Sequence, residues 1–117
     1  ALCQKRYYLF KTYNEQIPLE IRSIIMIETN YDEMLVLTSK KTYIGSKRTN
    51  YNNFKSLYLP TFCKLDRSRI INLDHIVYID GLTLKMSNDD IVEIPRMKRK
   101  LFKDNYINYL ENGKILS

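Results

Sequence analysis

The stretch Phe62–Ile76, FCKLDRSRIINLDHI, decides how the rest of the chain is read. Lys64, Arg67 and Arg69 crowd around a single carboxylate, Asp66, and the chain then becomes an apolar, β-branched run. A run of that kind reads as a buried strand, because Ile and Val suit a packed, pleated surface. Cations on the doorstep of a buried strand are either a solvated edge or a surface for an anionic partner. The flanking sequence has to separate the two.

Working outward, the texture is mainly β. IRSIIMIE, from Ile21, is short, apolar and β-branched, and reads as a strand. Met34–Thr38, the turn Ser39-Lys40-Lys41 and Thr42–Gly45 form a hairpin pattern. In the next segment Thr49 is the expected N-cap of a short helix, with Phe54, Leu57 and Tyr58 at helical spacing and Pro60 as its stop. Leu82, Leu84 and Met86 alternate with polar residues before SNDD and the returning strand Ile91–Ile94. Beyond Pro95, Met97, Leu101 and Phe102 are expected on one helical face; Asp104 is read as the cap of a last turn that Gly113 closes. Residues 1–16 are weakly patterned and read as a lead-in or linker from a larger protein, 17–112 as the domain, and 113–117 as a tail.

The 117 residues suffice for one domain, and a hydrophobic fraction of 44% excludes disorder. The net charge of +6 and a pI of about 9.3 suit a polyanion. Cys3 and Cys63 make no CxxC or Cys/His cluster, so no zinc site or disulfide scaffold is expected, and both read as free thiols of a cytoplasmic protein. No apolar run reaches the length of a spanning helix.

Catalytic chemistry finds no support. His75 is the sole histidine, flanked by apolar residues, and reads as structural. The aspartates are scattered or sit in turns, where Asp bonds locally to the backbone. No Ser/His/Asp arrangement, nucleophile elbow or phosphate-cradling glycine loop is present, so neither an enzyme nor a bound cofactor is expected. The ten tyrosines could stack on bases but suit β-structure at least as well. RRM, KH and zinc-finger signatures are missing, and a strand-rich pattern cannot supply a helix-turn-helix. The cations fall in three groups: Lys64, Arg67 and Arg69; Arg96 to Lys100; and Lys40, Lys41, Lys47 and Arg48 in the hairpin. Taken together they favour a shared polyanion surface.

The order strand, hairpin, short helix, then FCKLDRSRIIN and later EIPRMKRKLF, resembles the LytTR DNA-binding domain, whose motifs run F-x-R-x-H-R-S, I-V-N and I-P-x-S-R. The likeness covers about residues 17 to 110, with Asn72 in place. It implies an elongated stack of small antiparallel sheets whose loops enter successive major grooves of double-stranded DNA, at direct repeats near promoters. It implies a bacterial transcription regulator of a two-component system, with a receiver or sensor domain N-terminal to this one, self-association on DNA and no membrane contact. The residues expected at DNA are Lys64, Asp66, Arg67, Ser68 and Lys98 at the family's motif positions, Asp32 and Glu33 in its first loop, and Lys47, Arg48, Arg69, Arg99 and Lys100 from the cation groups. This chain departs from the pattern at Asp66, where the family has His, at Met97 and Lys98, where it has Ser-Arg, and at Asp32 and Glu33 in the first loop. These acids leave a second function open, a LytTR-like fold serving as a protein-interaction or inhibitory module with reduced DNA readout. They also admit an orienting role for Asp66, which would fix a neighbouring arginine.

Overall fold

The computed structural model describes residues 6–116, and among these the side chains of residues 6–112. Ten strands build three antiparallel sheets. The strands are β1 (Tyr7–Lys11), β2 (Gln16–Glu20), β3 (Ile24–Thr29), β4 (Glu33–Thr38), β5 (Thr42–Ser46), β6 (Phe62–Lys64), β7 (Arg69–Asn72), β8 (Ile76–Asp80), β9 (Thr83–Met86) and β10 (Ile91–Glu93). The helices are α1 (Lys47–Lys55) and α2 (Arg99–Leu116), with single 3-10 turns before β3, β8 and α2.

The central sheet has the order β5-β4-β3-β7-β6 and is covered on both faces. On one face the hairpin β1-β2 and helix α1 pack on it, burying Phe10, Leu19, Ile27, Met34, Phe54 and Ile70 together. On the other, the sheet β10-β9-β8 and α2 bury Met26, Leu65, Ile71, Leu84, Met86 and Phe102. The expected stack of small antiparallel sheets is the architecture. Its core is continuous through β3 because the residues of one strand serve both faces: Ile24 and Ile27 face one side, Ile25 and Met26 the other. Two neighbours share a face there because the pairing with β4 shifts register between Ile24 and Met26, a bulge that breaks the two-residue period. Each such fully buried aliphatic side chain contributes about 1.5–3 kcal/mol relative to exposure.

Several expectations are corrected. The expected lead-in contains β1, whose Tyr8 and Phe10 are core residues. Residues 1–5 of it, Cys3 among them, lie outside the described residues. Helix α1 begins earlier than the sequence suggests, because Ser46, rather than Thr49, caps it by accepting the Thr49 amide. It ends at Lys55, and the chain leaves through Tyr58 at φ 47°. Past Pro95 the helix does not pause at Asp104 or stop at Gly113, and α2 continues to Leu116. Of the three residues expected on one helical face, Met97 lies in the 3-10 turn before α2 and is 96% exposed, Leu101 is 54% exposed and Phe102 is buried.

Two residues fix the edge of the central sheet. Asn50, buried in α1, donates to the Lys11 and Ser46 carbonyls (2.9 and 2.8 Å) and accepts from the Lys11 amide (2.9 Å). Gly45 lies against the same carbonyl: a Cβ there would stand 2.2 Å from the Lys11 oxygen. The β1-β2 hairpin is thereby pinned to β5 and α1.

Candidate nucleic-acid interface

The alternation of strand direction sorts the connections to two ends of the stack. One end gathers the turns at 12–15, 30–32, 65–68 and 80–82, the start of α1, and the segment 94–98. The opposite end gathers 21–23, 39–41, 73–75 and 87–90. The candidate site is the first end, built from three turns that the sheets hold in a row.

The 30–32 turn is closed by Asn30, whose Oδ1 accepts from the amides of Asp32 (3.1 Å) and Glu33 (2.8 Å), as Asn does where the backbone must reverse. Tyr31 stands at its tip, 94% exposed. The Asp32 carbonyl accepts the Lys47 amide at 2.8 Å, which ties the turn to the start of α1 and sets Lys47 and Arg48 beside it. The Glu33 carboxylate accepts from the Tyr13 hydroxyl at 3.4 Å. The Tyr13 phenol is pushed up, first by desolvation and then by the Glu33 and Asp32 carboxylates.

The middle turn is organised by Asp66. Its Oδ1 accepts from the Ser68 amide (2.9 Å) and hydroxyl (3.2 Å), and its Oδ2 accepts from Arg69 Nε (3.0 Å) and Nη2 (2.8 Å). Burial would raise this carboxyl's pKa, but the Arg69 and Ser68 hydrogen bonds and the Arg69 charge outweigh it and hold the group below the usual carboxylate range. Arg69 also donates to the Glu93 carbonyl at 3.0 Å, so it bridges the central sheet to the β10 strand. Asp66 therefore spends its charge on a half-buried arginine strut. Arg67, between them, is exposed and pairs with no carboxylate among the described residues. The turn is docked to its neighbour by the Thr29 amide, which donates to the Ser68 carbonyl at 2.7 Å.

The third element follows β10. Ile94 donates to the Leu82 carbonyl (2.7 Å), and Arg96–Lys98 form a 3-10 turn that runs into α2. Lys98, Arg99 and Lys100 are exposed, and the first turn of α2 holds no acid. Cations there oppose the helix dipole, which favours negative charge at an N-terminus. An external anion relieves that conflict. Arg69, Glu93 and Arg96 line an open cleft of about 480 Å³ between the second and third elements.

The structure thus brings Asp32, Glu33, Lys47, Arg48, Asp66, Arg67, Ser68, Arg69, Lys98, Arg99 and Lys100 to one end. Lys64 belongs to strand β6 and turns toward α1, lining a different cleft with Lys55 and Tyr58. The supposed third cation group separates: Lys40 and Lys41 are at the far end of β5 from Lys47 and Arg48, about 17 Å away at the strand rise. Arg96, of the second cation group, is at the loop end, and so are Tyr31, Tyr13 and Asn30, which the sequence did not single out. Their signal in the sequence was weak, save that Asn-Tyr-Asp between two strands reads as a turn whose tyrosine has nothing to pack on.

His75 is structural in its contacts, with Nε2 2.6 Å from the Arg22 carbonyl and Nδ1 2.7 Å from Ser87 Oγ. Asn72 is buried, donating to the Ile24 carbonyl (2.8 Å) and accepting from the Asp74 amide (3.1 Å). Cys63 is buried, and burial pushes its thiol up despite a hydrogen bond from Asn105. Among the described residues no group of His, Cys, Asp and Glu could hold a metal ion, and no helix is long and apolar enough to cross a membrane.

Comparison with known proteins agrees with this architecture. The sequence model of the LytTr DNA-binding domain matches residues 14–106. Among solved structures, a chain described as the LytTr DNA-binding domain of a methyl-accepting/DNA response regulator from Bacillus cereus superposes with a TM-score of 0.70. The two are 23% identical over 87% of this chain and 97% of that one, a likeness of fold. No curated protein matches.

Proposed function

The chain belongs to the LytTr DNA-binding domain family, and on that premise we propose that it binds double-stranded DNA sequence-specifically through the loop end of its stack. It acts as the output domain of a bacterial transcription regulator in the cytoplasm, at direct repeats near promoters, with its sensing or receiver domain N-terminal to it. The turns enter successive major grooves, and copies associate on the DNA. The observation that carries this is Arg67: an exposed guanidinium without a carboxylate partner among the described residues, on a turn held rigid from both sides. A planar fork in that setting suits bidentate contact to guanine.

Other side chains take different roles. Asp66 and Ser68 hold the turn, and Arg69 braces it, so these three orient the reader. Lys47, Arg48, Lys98, Arg99 and Lys100 neutralise phosphates on either side. Asp32 and Tyr31 meet the neighbouring groove, where a carboxylate can accept from cytosine N4. The rival function, a protein-interaction module, was motivated by Asp32, Glu33 and Asp66. Asp66 is paired and Glu33 is hydrogen-bonded, which leaves only Asp32 to favour it.

Selection of bound duplexes from a random pool, repeated at two salt concentrations, tests the proposal. An enriched repeat whose binding weakens with salt is expected. No enrichment and no salt response would assign the domain to protein interaction instead.

A further inference from the structure

Lys64 stands apart from the loop end, and what it stands beside is informative. It lines a cleft of about 370 Å³ between α1 and β6, with Tyr51, Phe54, Lys55, Tyr58 and Phe62. The same Tyr51 lines the cleft of about 570 Å³ at the start of α1, beside Lys47 and Arg48. The ammonium groups of Lys47 and Lys55 sit 5.5 and 5.4 Å from the Tyr51 ring centre, one toward each cleft. Cations on an aromatic face are held in place without being neutralised. The row Arg48, Lys47, Lys55, Lys64 is therefore continuous with the loop end and turns down the α1 face of the stack.

Among the described residues, Asp32, which shares the first cleft with Lys47 and Arg48, is the one carboxylate lining either cleft. Between Glu33 and Asp66 the sequence has no carboxylate and six lysines or arginines. None of these six forms an ion pair among the described residues. Tyr58 adds a second anomaly. It is 88% exposed and sits at φ 47°, where a helix exit ordinarily uses glycine. A tyrosine kept in a left-handed conformation, with its ring in solvent and beside two lysines, fills no structural need that glycine would not fill better.

We propose that the α1 face is a second DNA-contacting surface, which takes the sugar-phosphate backbone of the duplex flanking the segment read by the loops. This rests on the DNA-binding function proposed above. Lys55 and Lys64 neutralise phosphates, and Tyr58 lies against the sugars between them. The occupant is a polyanion because four cations face a single carboxylate and the second cleft is lined by no acid, and it is the same duplex because the row is an unbroken extension of the loop end. A duplex that reaches this face must leave the loop end bent toward α1.

The test uses the duplex recovered from the random pool in two forms, trimmed to the segment the loops protect and extended by flanks. The double variant Lys55→Ala/Lys64→Ala should weaken binding to the extended duplex several-fold and lower its salt slope by about 1.8, at about 0.9 per lost phosphate contact. Binding to the trimmed duplex should not change. Tyr58→Gly should weaken only the extended complex while thermal stability holds or rises. Equal effects on both duplexes, or no effect on either, would overturn the inference, and the second outcome would point to an acidic protein segment as the occupant. Arg67→Ala separates the two levels. If it loses discrimination while the lysine variants change nothing, the flank surface fails and the loop reader stands. If the wild-type chain binds no duplex, both fail.

Discussion

The two ends of the sheet stack are made of the same parts, short turns between antiparallel strands, yet they spend those parts differently. At the far end side chains and backbone hold the turns together, the Ser39 and Ser87 amides donating to the Ser23 and His75 carbonyls. His75 joins the Arg22 carbonyl to Ser87, the Thr38 hydroxyl closes the 39–41 turn, and Tyr109 donates to Asp74. Arg22 is paired with Glu20. At the loop end backbone hydrogen bonds dock the turns to one another, Thr29 to Ser68, Lys47 to Asp32 and Ile94 to Leu82. Side chains close the turns here too, Thr12 at 12–15, Asn30 at 30–32 and Asp66 at 65–68. The tips Tyr31 and Arg67 are left unspent. The ends differ in what they leave exposed: Arg22 and Lys85 at the far end are ion-paired, whereas Arg67 has no carboxylate partner among the described residues.

The comparison predicts that stability and binding separate by location. The largest effect belongs to neither tip. Asn50→Ala orphans Lys11 and the Ser46 carbonyl, and at about 1–3 kcal/mol for each unsatisfied buried group it should cost roughly 3 kcal/mol or more in chemical denaturation. A loss below about 1 kcal/mol would mean that the hairpin is not pinned as described. Next, Arg67→Ala should cost about 1–3 kcal/mol of discrimination between the selected site and a random duplex, with the melting temperature nearly unchanged. An equal loss on both duplexes would remove Arg67 from base reading. His75→Ala should do the reverse, lowering stability by about 1–2 kcal/mol for its two hydrogen bonds while the folded variant keeps its affinity. A binding defect at full folding would place function at the wrong end.

The smallest effect is that of Asp66. Its folded pKa lies below the usual carboxylate value of 3.8, so its contribution is complete above that value and disappears as pH falls through the lowered one. The pair is partly exposed, and it should contribute about 0–1 kcal/mol. Asp66→Asn should therefore differ from the wild type slightly at neutral pH and not at all in strong acid. Its discrimination between duplexes should fall at neutral pH, because Arg67 loses its fixed turn. A gain in affinity for every duplex would make Asp66 a simple repulsive charge.

Much of this was legible in the sequence. Hairpin β9-β10 was plain because apolar and polar residues alternate over Leu82–Met86, and β4-β5 because the polar turn Ser39-Lys40-Lys41 separates two short β-prone runs. Strand β1 was hidden because Tyr7, Tyr8, Leu9 and Phe10 are all apolar, so no alternation marks that only Tyr8 and Phe10 are buried. The row of turns was partly legible through the basic stretch around Asp66, but the grouping of Lys40 and Lys41 with Lys47 and Arg48 failed. Neighbours across one strand length are close in sequence and lie at opposite ends in space. The direction of Lys64 was equally hidden, since one residue of register in β6 decides which face it takes.

The polarity of the stack can be measured directly by removing the same charge from each end. Lys98→Ala/Lys100→Ala and Lys40→Ala/Lys41→Ala each delete two cations, and the salt dependence of duplex binding is read for both beside the wild type. The wild-type slope of log K against log salt should lie near −4 to −5, for about five neutralised phosphates. The loop-end pair should reduce its magnitude by up to about 1.8, and the far-end pair should leave it unchanged. Equal reductions from the two pairs, or a wild-type slope near zero, would contradict the assignment of DNA binding to one end of the fold.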